Sequence, residues 1–242
     1  MRQSITKTLG ITCLLAAIAP IPARAGAVAV LAALDSELGA LKKEVELVGQ
    51  PMEFGGRPVY QARFENRPVL LAKTGANPDA VAPLIRWLVN DRNIAAVISI
   101  GPAGALSDRV EIGEVVVAER AVRDEAAASR SVWTLAQVTN CESKPAGTIV
   151  TVDSFVAGTG ERTRLLTAFG ADVVDMSAAV IAEACTARQV PCVIIRQITD
   201  RADQDAPQSF TGAVRTKPRL TVAAALCALG QLRGGLASKG PS

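Results

Sequence analysis

The segment VPCVIIRQITDRAD, residues 190–203, decides how the chain is read. Its first half is apolar, and such a run reads as a strand buried on both faces. At Arg196 the character changes, and a polar stretch follows with Asp200 at its centre and Arg201 and Asp203 behind it. Runs of the same kind recur along the chain. AVAVLAAL (27–34), AAVISI running into the Gly/Pro-rich loop GPAGAL (95–106), GEVVVAERAV (113–122), GTIVTVDSFV (147–156) and ADVVDM (171–176) read as strands or strands with their exits. PVYQARFENRPVLLAKTG (58–75) reads as two strands around a turn at Glu65-Asn66-Arg67. Helical patterns alternate with them at 36–48, 79–91, 161–169, 177–188 and 220–232, while 123–147 is polar and irregular. Continuous apolar strands alternating with helices imply an α/β fold whose sheet is covered on both faces. Such sheets place ligand sites at the carboxyl ends of their strands. A buried start and a polar finish are therefore what a site wall requires of residues 190–203.

The chain has 242 residues, is 49% hydrophobic and carries a formal net charge of +3. That suits one α/β domain with a sizeable core. The charge is too small and too scattered to point to nucleic acid. The chain contains no histidine. Ser-His-Asp and Cys-His nucleophile systems, imidazole zinc sites and histidine acid–base chemistry are thereby excluded. Proton transfer has to come from Asp, Glu, Lys, Tyr or Cys. The first 25 residues differ from the rest: Arg2 and Lys7 precede the apolar TLGITCLLAAIA, and the stretch ends in Ala23-Arg24-Ala25. This is the pattern of a secretory signal cleaved after Ala25. Its apolar run falls short of the roughly 20 residues that span a bilayer. The expectation is a mature periplasmic or secreted domain over 26–234 with a disordered tail at 235–242 and no stable membrane anchor. Cys141, Cys185, Cys192 and Cys227 remain after cleavage. Four cysteines allow two disulfides whose connectivity the sequence leaves open, although Cys185 and Cys192 sit in apolar contexts that suit small buried hydrophobes.

Several strand ends resemble the nucleoside phosphorylase/nucleosidase superfamily, and its methylthioadenosine/S-adenosylhomocysteine nucleosidase branch in particular. The matching pieces are AVAVLAALDSEL (27–38), ISIGPAGAL (98–106) with IGEVVVA (112–118), TVDSFV (151–156), VVDMSAAVIAEAC (173–185) and VPCVIIRQITDRAD (190–203), in the family's order. The resemblance implies a three-layer α/β/α fold with a central mixed sheet, a homodimer, and a purine nucleoside as the small-molecule substrate. It places Glu37 as the carboxylate that activates water, with Thr74 and Arg196 beside that water. Phe155 and Val156 fall where the family contacts the purine, Met176 where it packs on the sugar, and Asp200 where it protonates the base at N7. The chemistry has its own rationale. Breaking an N-glycosidic bond builds positive charge on the sugar and negative charge on the base, so an acid on one side and a base on the other are both useful. Read alone, Glu37 suits the first turn of a helix and Asp200 a turn or N-cap. Phe155 and Met176 suit the core, and Thr74 an ordinary strand end.

The match breaks at three places. Ser177 stands where the family has a glutamate that grips both ribose hydroxyls, and Ser177 also suits a helix N-cap. Arg123-Asp124-Glu125 replaces an aromatic-His-Asp stretch, and Asn77-Pro78 replaces a Gly-Lys-like continuation. An exported purine nucleosidase with altered sugar recognition follows. Its rivals are a catalytically weak purine-binding relative and a phosphate-dependent phosphorylase. The loops 32–37 and 73–78 contain no arginine with which to cradle phosphate. No metal or organic cofactor is implied, since the acidic cluster at 200–205 lacks the spacing of a calcium loop.

Overall fold

Strand β1 (Ala27–Ala32) feeds two different cores. Ala29 and Leu31 pack into one apolar cluster, while Val28, Val30 and Ala32 pack into another. The two clusters lie on opposite faces of one sheet, because successive strand side chains point to opposite sides. Around β1 the computed structural model describes residues 26–75, 77–125, 131–216 and 220–234. The expected leader (1–25) and the expected tail (235–242) lie outside the described residues.

The elements in chain order are α1 (Asp35–Glu44), β2 (Glu46–Leu47), β3 (Met52–Phe54), β4 (Arg57–Phe64), β5 (Arg67–Lys73), α2 (Pro78–Asp91), β6 (Ile94–Ala105) and β7 (Val115–Arg123). They continue with β8 (Val132–Thr134), β9 (Lys144–Thr151), α3 (Thr159–Phe169), β10 (Val173–Asp175), α4 (Ala178–Ala187), β11 (Cys192–Asp200), α5 (Ala206–Thr216) and α6 (Leu220–Gly234). The sheet is mixed, with strand order β10-β9-β7-β11-β6-β1-β5-β4-β2. β1 lies parallel to both β5 and β6, and β11 lies parallel to β6. β10 also pairs antiparallel with the end of β6, through Val174 and Gly104, so β6, β11, β7, β9 and β10 close into a circuit. Helices α2 and α4 cover one face and α1 and α6 the other, giving three layers. A third cluster, around Leu106, Val150, Val156, Leu165 and Val174, packs α3 beneath the closed circuit.

Local chemistry accounts for the boundaries. Glu65 and Asn66 both take positive φ, 45° and 68°, which makes the two-residue turn joining β4 to β5. Asn77 accepts the Asp79 N–H at 2.8 Å and Pro78 occupies the first turn, so the Asn77-Pro78 departure starts α2. Three readings are corrected. The helix expected over 36–48 stops at Glu44, and Glu46–Leu47 joins the sheet edge against β4. GPAG is not a loop but the continuation of β6, paired residue for residue with Arg196, Gln197 and Ile198 of β11. Its glycines are there for clearance. A Cβ on Gly101 would lie 2.8 Å from that of Ala33, and one on Gly104 would lie 2.8 Å from Asp200 Oδ1. Finally, α5 was not expected, since Gly212 and three β-branched residues weaken its helical signal. A disulfide joins Cys141 to Cys227, and Cys185 and Cys192 are free and buried, as their apolar contexts imply.

Candidate active site

A cleft of about 670 Å3, including its open mouth, lies where the carboxyl ends of six strands meet. Ala33 and Leu34 follow β1, Gly75 follows β5, and Gly104 is the penultimate residue of β6. β10 contributes Val174 and Asp175, and β11 contributes Arg196, Thr199 and Asp200. Of the residues expected at a site, Asp200, Arg196, Phe155, Val156, Met176 and Ser177 all line this cleft. Glu37 and Thr74 do not reach the wall and stand directly behind it.

Asp200 is placed by an irregularity. The register of β11 on β6 shifts between Ile198 and Asp200, so that one β6 step, Ala103 to Gly104, faces two steps of β11. A bulge re-aims side chains, and here it lets the consecutive residues Thr199 and Asp200 both line the cleft. The carboxyl is held by the Thr199 hydroxyl, which donates to Oδ2 at 2.8 Å, and by the Ala202 N–H, which donates to Oδ1 at 2.9 Å. Burial raises its pKa above the ordinary carboxylate value, these two hydrogen bonds pull it down, and the charge of Asp203 adds to the rise.

Glu37 sits in the first turn of α1 and is 3% exposed. The Leu34 N–H donates to Oε2 at 3.1 Å, the N3-to-cap half of a capping box. Thr221 at the start of α6 donates to Oε1 at 2.9 Å. Burial raises this pKa too, opposed by the Thr221 hydroxyl, the Leu34 N–H and then the charge of Arg196. Arg196 is 2% exposed and its guanidinium is bonded all round. Nε and Nη2 donate to Asp175 Oδ2 at 3.0 and 2.9 Å, Nη2 also donates to Ser177 Oγ at 3.2 Å, and Nη1 faces Ser99 O at 3.1 Å and Ile195 O at 2.9 Å. The cation of the site thus acts on Glu37, and the anion Asp203 acts on Asp200. Both effects are secondary to burial, which raises the pKa of each carboxyl group.

The remaining expected residues take definite places. Phe155 is 45% exposed and meets Phe210 of α5 edge-on at 5.7 Å, so its ring is open to the cleft. Val156 is buried beneath it. The Thr74 hydroxyl faces two backbone carbonyls, Gly75 O at 3.0 Å and Ala32 O at 3.3 Å. Ser177 occupies the N-cap position of α4 but its side chain does not cap. Asp175 does so instead, accepting the Ala178 N–H at 2.9 Å. The departure at 123–125 forms surface ion pairs, Arg123 with Glu125 and Asp153, and Asp124 with Arg164. Sequence reasoning missed Asp175, Thr221 and Phe210. Asp175 carries the same signal as Asp200, a carboxylate ending an apolar run. Thr221 and Phe210 reach the site only through tertiary contact and carry no local signal.

Known proteins align with this geometry. The phosphorylase superfamily model matches residues 27–146 and 136–229. A 5'-methylthioadenosine/S-adenosylhomocysteine nucleosidase of Glaesserella parasuis is 28% identical over 202 residues, covering 72% of this chain and 88% of that protein. The structure is similar to that of the same kind of nucleosidase from S. pneumoniae with the transition-state inhibitor MT-ImmA. The TM-score is 0.77, with 22% identity over 85% of this chain and 99% of the other. Futalosine hydrolase of Helicobacter pylori shares the fold with a TM-score of 0.74 and 19% identity, over 86% of this chain and 97% of its own. The chain belongs to the phosphorylase superfamily and is similar to its methylthioadenosine/S-adenosylhomocysteine nucleosidases.

Proposed function

We propose that the protein is an exported purine nucleosidase that hydrolyses N-glycosidic bonds with altered sugar recognition. The observation that carries this reading is Asp200 buried in the wall of the cleft, with a second buried carboxyl group, Glu37, behind that wall. Asp200 gives its proton to the purine at N7 as the bond from the sugar carbon to the base nitrogen breaks, and the electron pair leaves with the base. Glu37 takes a proton from water, and the water oxygen bonds to the sugar carbon. The products are free base and free sugar, and both carboxyl groups recover their starting state by exchange with solvent. Phe155 offers its exposed ring to the base, and Met176 and Ser177 form the wall beside the sugar.

The Cys141–Cys227 disulfide supports export, because such bonds persist in oxidising compartments. Recovery from the periplasm or medium of a protein beginning at Gly26 would test it. One observation favours the phosphorylase alternative. Arg57 of β4, distant in sequence from the loops considered, donates to Thr74 O at 3.4 Å and Ala80 O at 3.5 Å, so an arginine does reach the 73–78 loop. Both contacts come from Nη1 alone, and a single arginine is a thin cradle for phosphate, so hydrolysis stays the favoured reading. The test is base release from methylthioadenosine, adenosine and inosine with and without phosphate. Release in phosphate-free buffer is expected. A strict phosphate requirement would establish the alternative, and tight purine binding with no release would establish a binding protein.

A further inference from the structure

The polar groups that wall the sugar side of the cleft are already bonded to one another. Asp175 takes the Thr151 hydroxyl on Oδ1 at 2.7 Å, the Ala178 N–H at 2.9 Å on Oδ2, and Arg196 Nε and Nη2 on Oδ2 at 3.0 and 2.9 Å. The Ala178 N–H also faces Oδ1 at 3.2 Å, so both lone pairs of each carboxylate oxygen already face a donor and Asp175 has none left for a ligand hydroxyl. Arg196 has five N–H groups, and they meet Asp175, Ser177 Oγ, Ser99 O and Oγ, and Ile195 O. The Ser177 hydroxyl lies 3.4 Å from Asp175 Oδ2, its one acceptor, and receives Arg196 Nη2 at 3.2 Å. A single neutral lone pair on Ser177 is what remains. Thr199 turns to Asp200 and to Ala103 O. A pair of adjacent sugar hydroxyls entering this wall would find one weak acceptor, and no charged group free to grip them.

We propose that the cleft accepts purine 2′-deoxyribonucleosides about as well as ribonucleosides, because no free charged group of the wall is available to bind the 2′-hydroxyl. The proposal rests on the nucleoside reading of the site. A site built to hydrogen-bond a substrate hydroxyl rejects the analogue lacking it by about 10⁴–10⁵-fold. A wall with one spare neutral lone pair falls far short of that. Chemistry pulls the same way: a 2′-hydroxyl withdraws electrons and disfavours positive charge on the sugar, so its absence eases the bond-breaking step.

Two measurements test this. The first compares kcat/KM for adenine release from adenosine and from 2′-deoxyadenosine by the wild-type mature protein. Values within about tenfold of each other are expected, since one neutral hydrogen bond is worth roughly two- to tenfold; a preference for adenosine above 100-fold overturns the proposal. The second compares Kd for the same two nucleosides on Asp200→Asn, where turnover does not interfere. Matched Kd values with no adenine release by wild type would sustain the sugar inference and sink the nucleosidase reading. Binding of adenosine more than 100-fold tighter, or binding of neither, overturns the proposal whatever the activity.

Discussion

Replacing Asp200 by Asn separates its chemistry from its packing. Asparagine keeps the shape and can still accept the Ala202 N–H that now donates at 2.9 Å. It loses the Thr199 hydroxyl bond on Oδ2, but that hydroxyl already has Ala103 O within 3.2 Å as a second acceptor. The structural cost is therefore at most about 1 kcal/mol, one neutral hydrogen bond. A second effect offsets it. Burial raises the folded-state pKa of Asp200, so the group's favourable contribution is fully present below the ordinary carboxylate pKa and is lost as pH rises through the raised folded value. Asn mimics the protonated form and removes that loss at neutral pH. The variant should melt within a few degrees of wild type at pH 7. Catalysis is another matter, because an amide donates a hydrogen bond but gives up no proton. A general acid contributes about 10²–10⁴-fold, or about 2.7–5.4 kcal/mol of barrier. The assay is free-base release from methylthioadenosine, with a thermal melt on the same sample. A loss of less than tenfold in a folded variant would remove Asp200 from the mechanism.

Other outcomes follow from the same contacts. In wild type, activity should fall at high pH as Asp200 loses its proton and at low pH as Glu37 gains one. The Thr221 hydroxyl holds the Glu37 pKa down, so Thr221→Val should move the low-pH limb of the rate profile upward and leave the other limb in place. Gly104→Ala puts a methyl 2.8 Å from Asp200 Oδ1; displacement of the acid should cut kcat by about 10²-fold, the scale of a 1 Å misplacement, which steady-state kinetics would read. The Cys141–Cys227 link closes a sequence separation of 86, for which chain entropy gives about 4.6 kcal/mol. Denaturant titration of Cys227→Ser should show a loss of about 2–4 kcal/mol, the usual measured range.

Much of this site was legible because it is written at strand ends. Asp200 and Asp175 each end an apolar strand, whereas Arg196 lies inside β11, which stays buried and paired to β6 as far as Asp200. Glu37 was legible by resemblance, its own surroundings being those of any first-turn acid. GPAG misled because glycine and proline usually mark a turn. Here the glycines stay in a strand, since Ala33 and Asp200 approach too closely for a side chain. Ser177 was read correctly as a helix-start residue by position, yet its hydroxyl is drawn to Arg196 and the capping passes to Asp175. Helix α5 hid behind weak propensity, and its Phe210 joins the site by packing on Phe155.

The division of labour between the two carboxyl groups is tested most directly with a substrate whose leaving group needs no proton, such as 4-nitrophenyl riboside. Asp200→Asn should cleave it at close to the wild-type rate while Glu37→Gln fails on it and on methylthioadenosine alike. Equal impairment of both variants on both substrates would contradict the account.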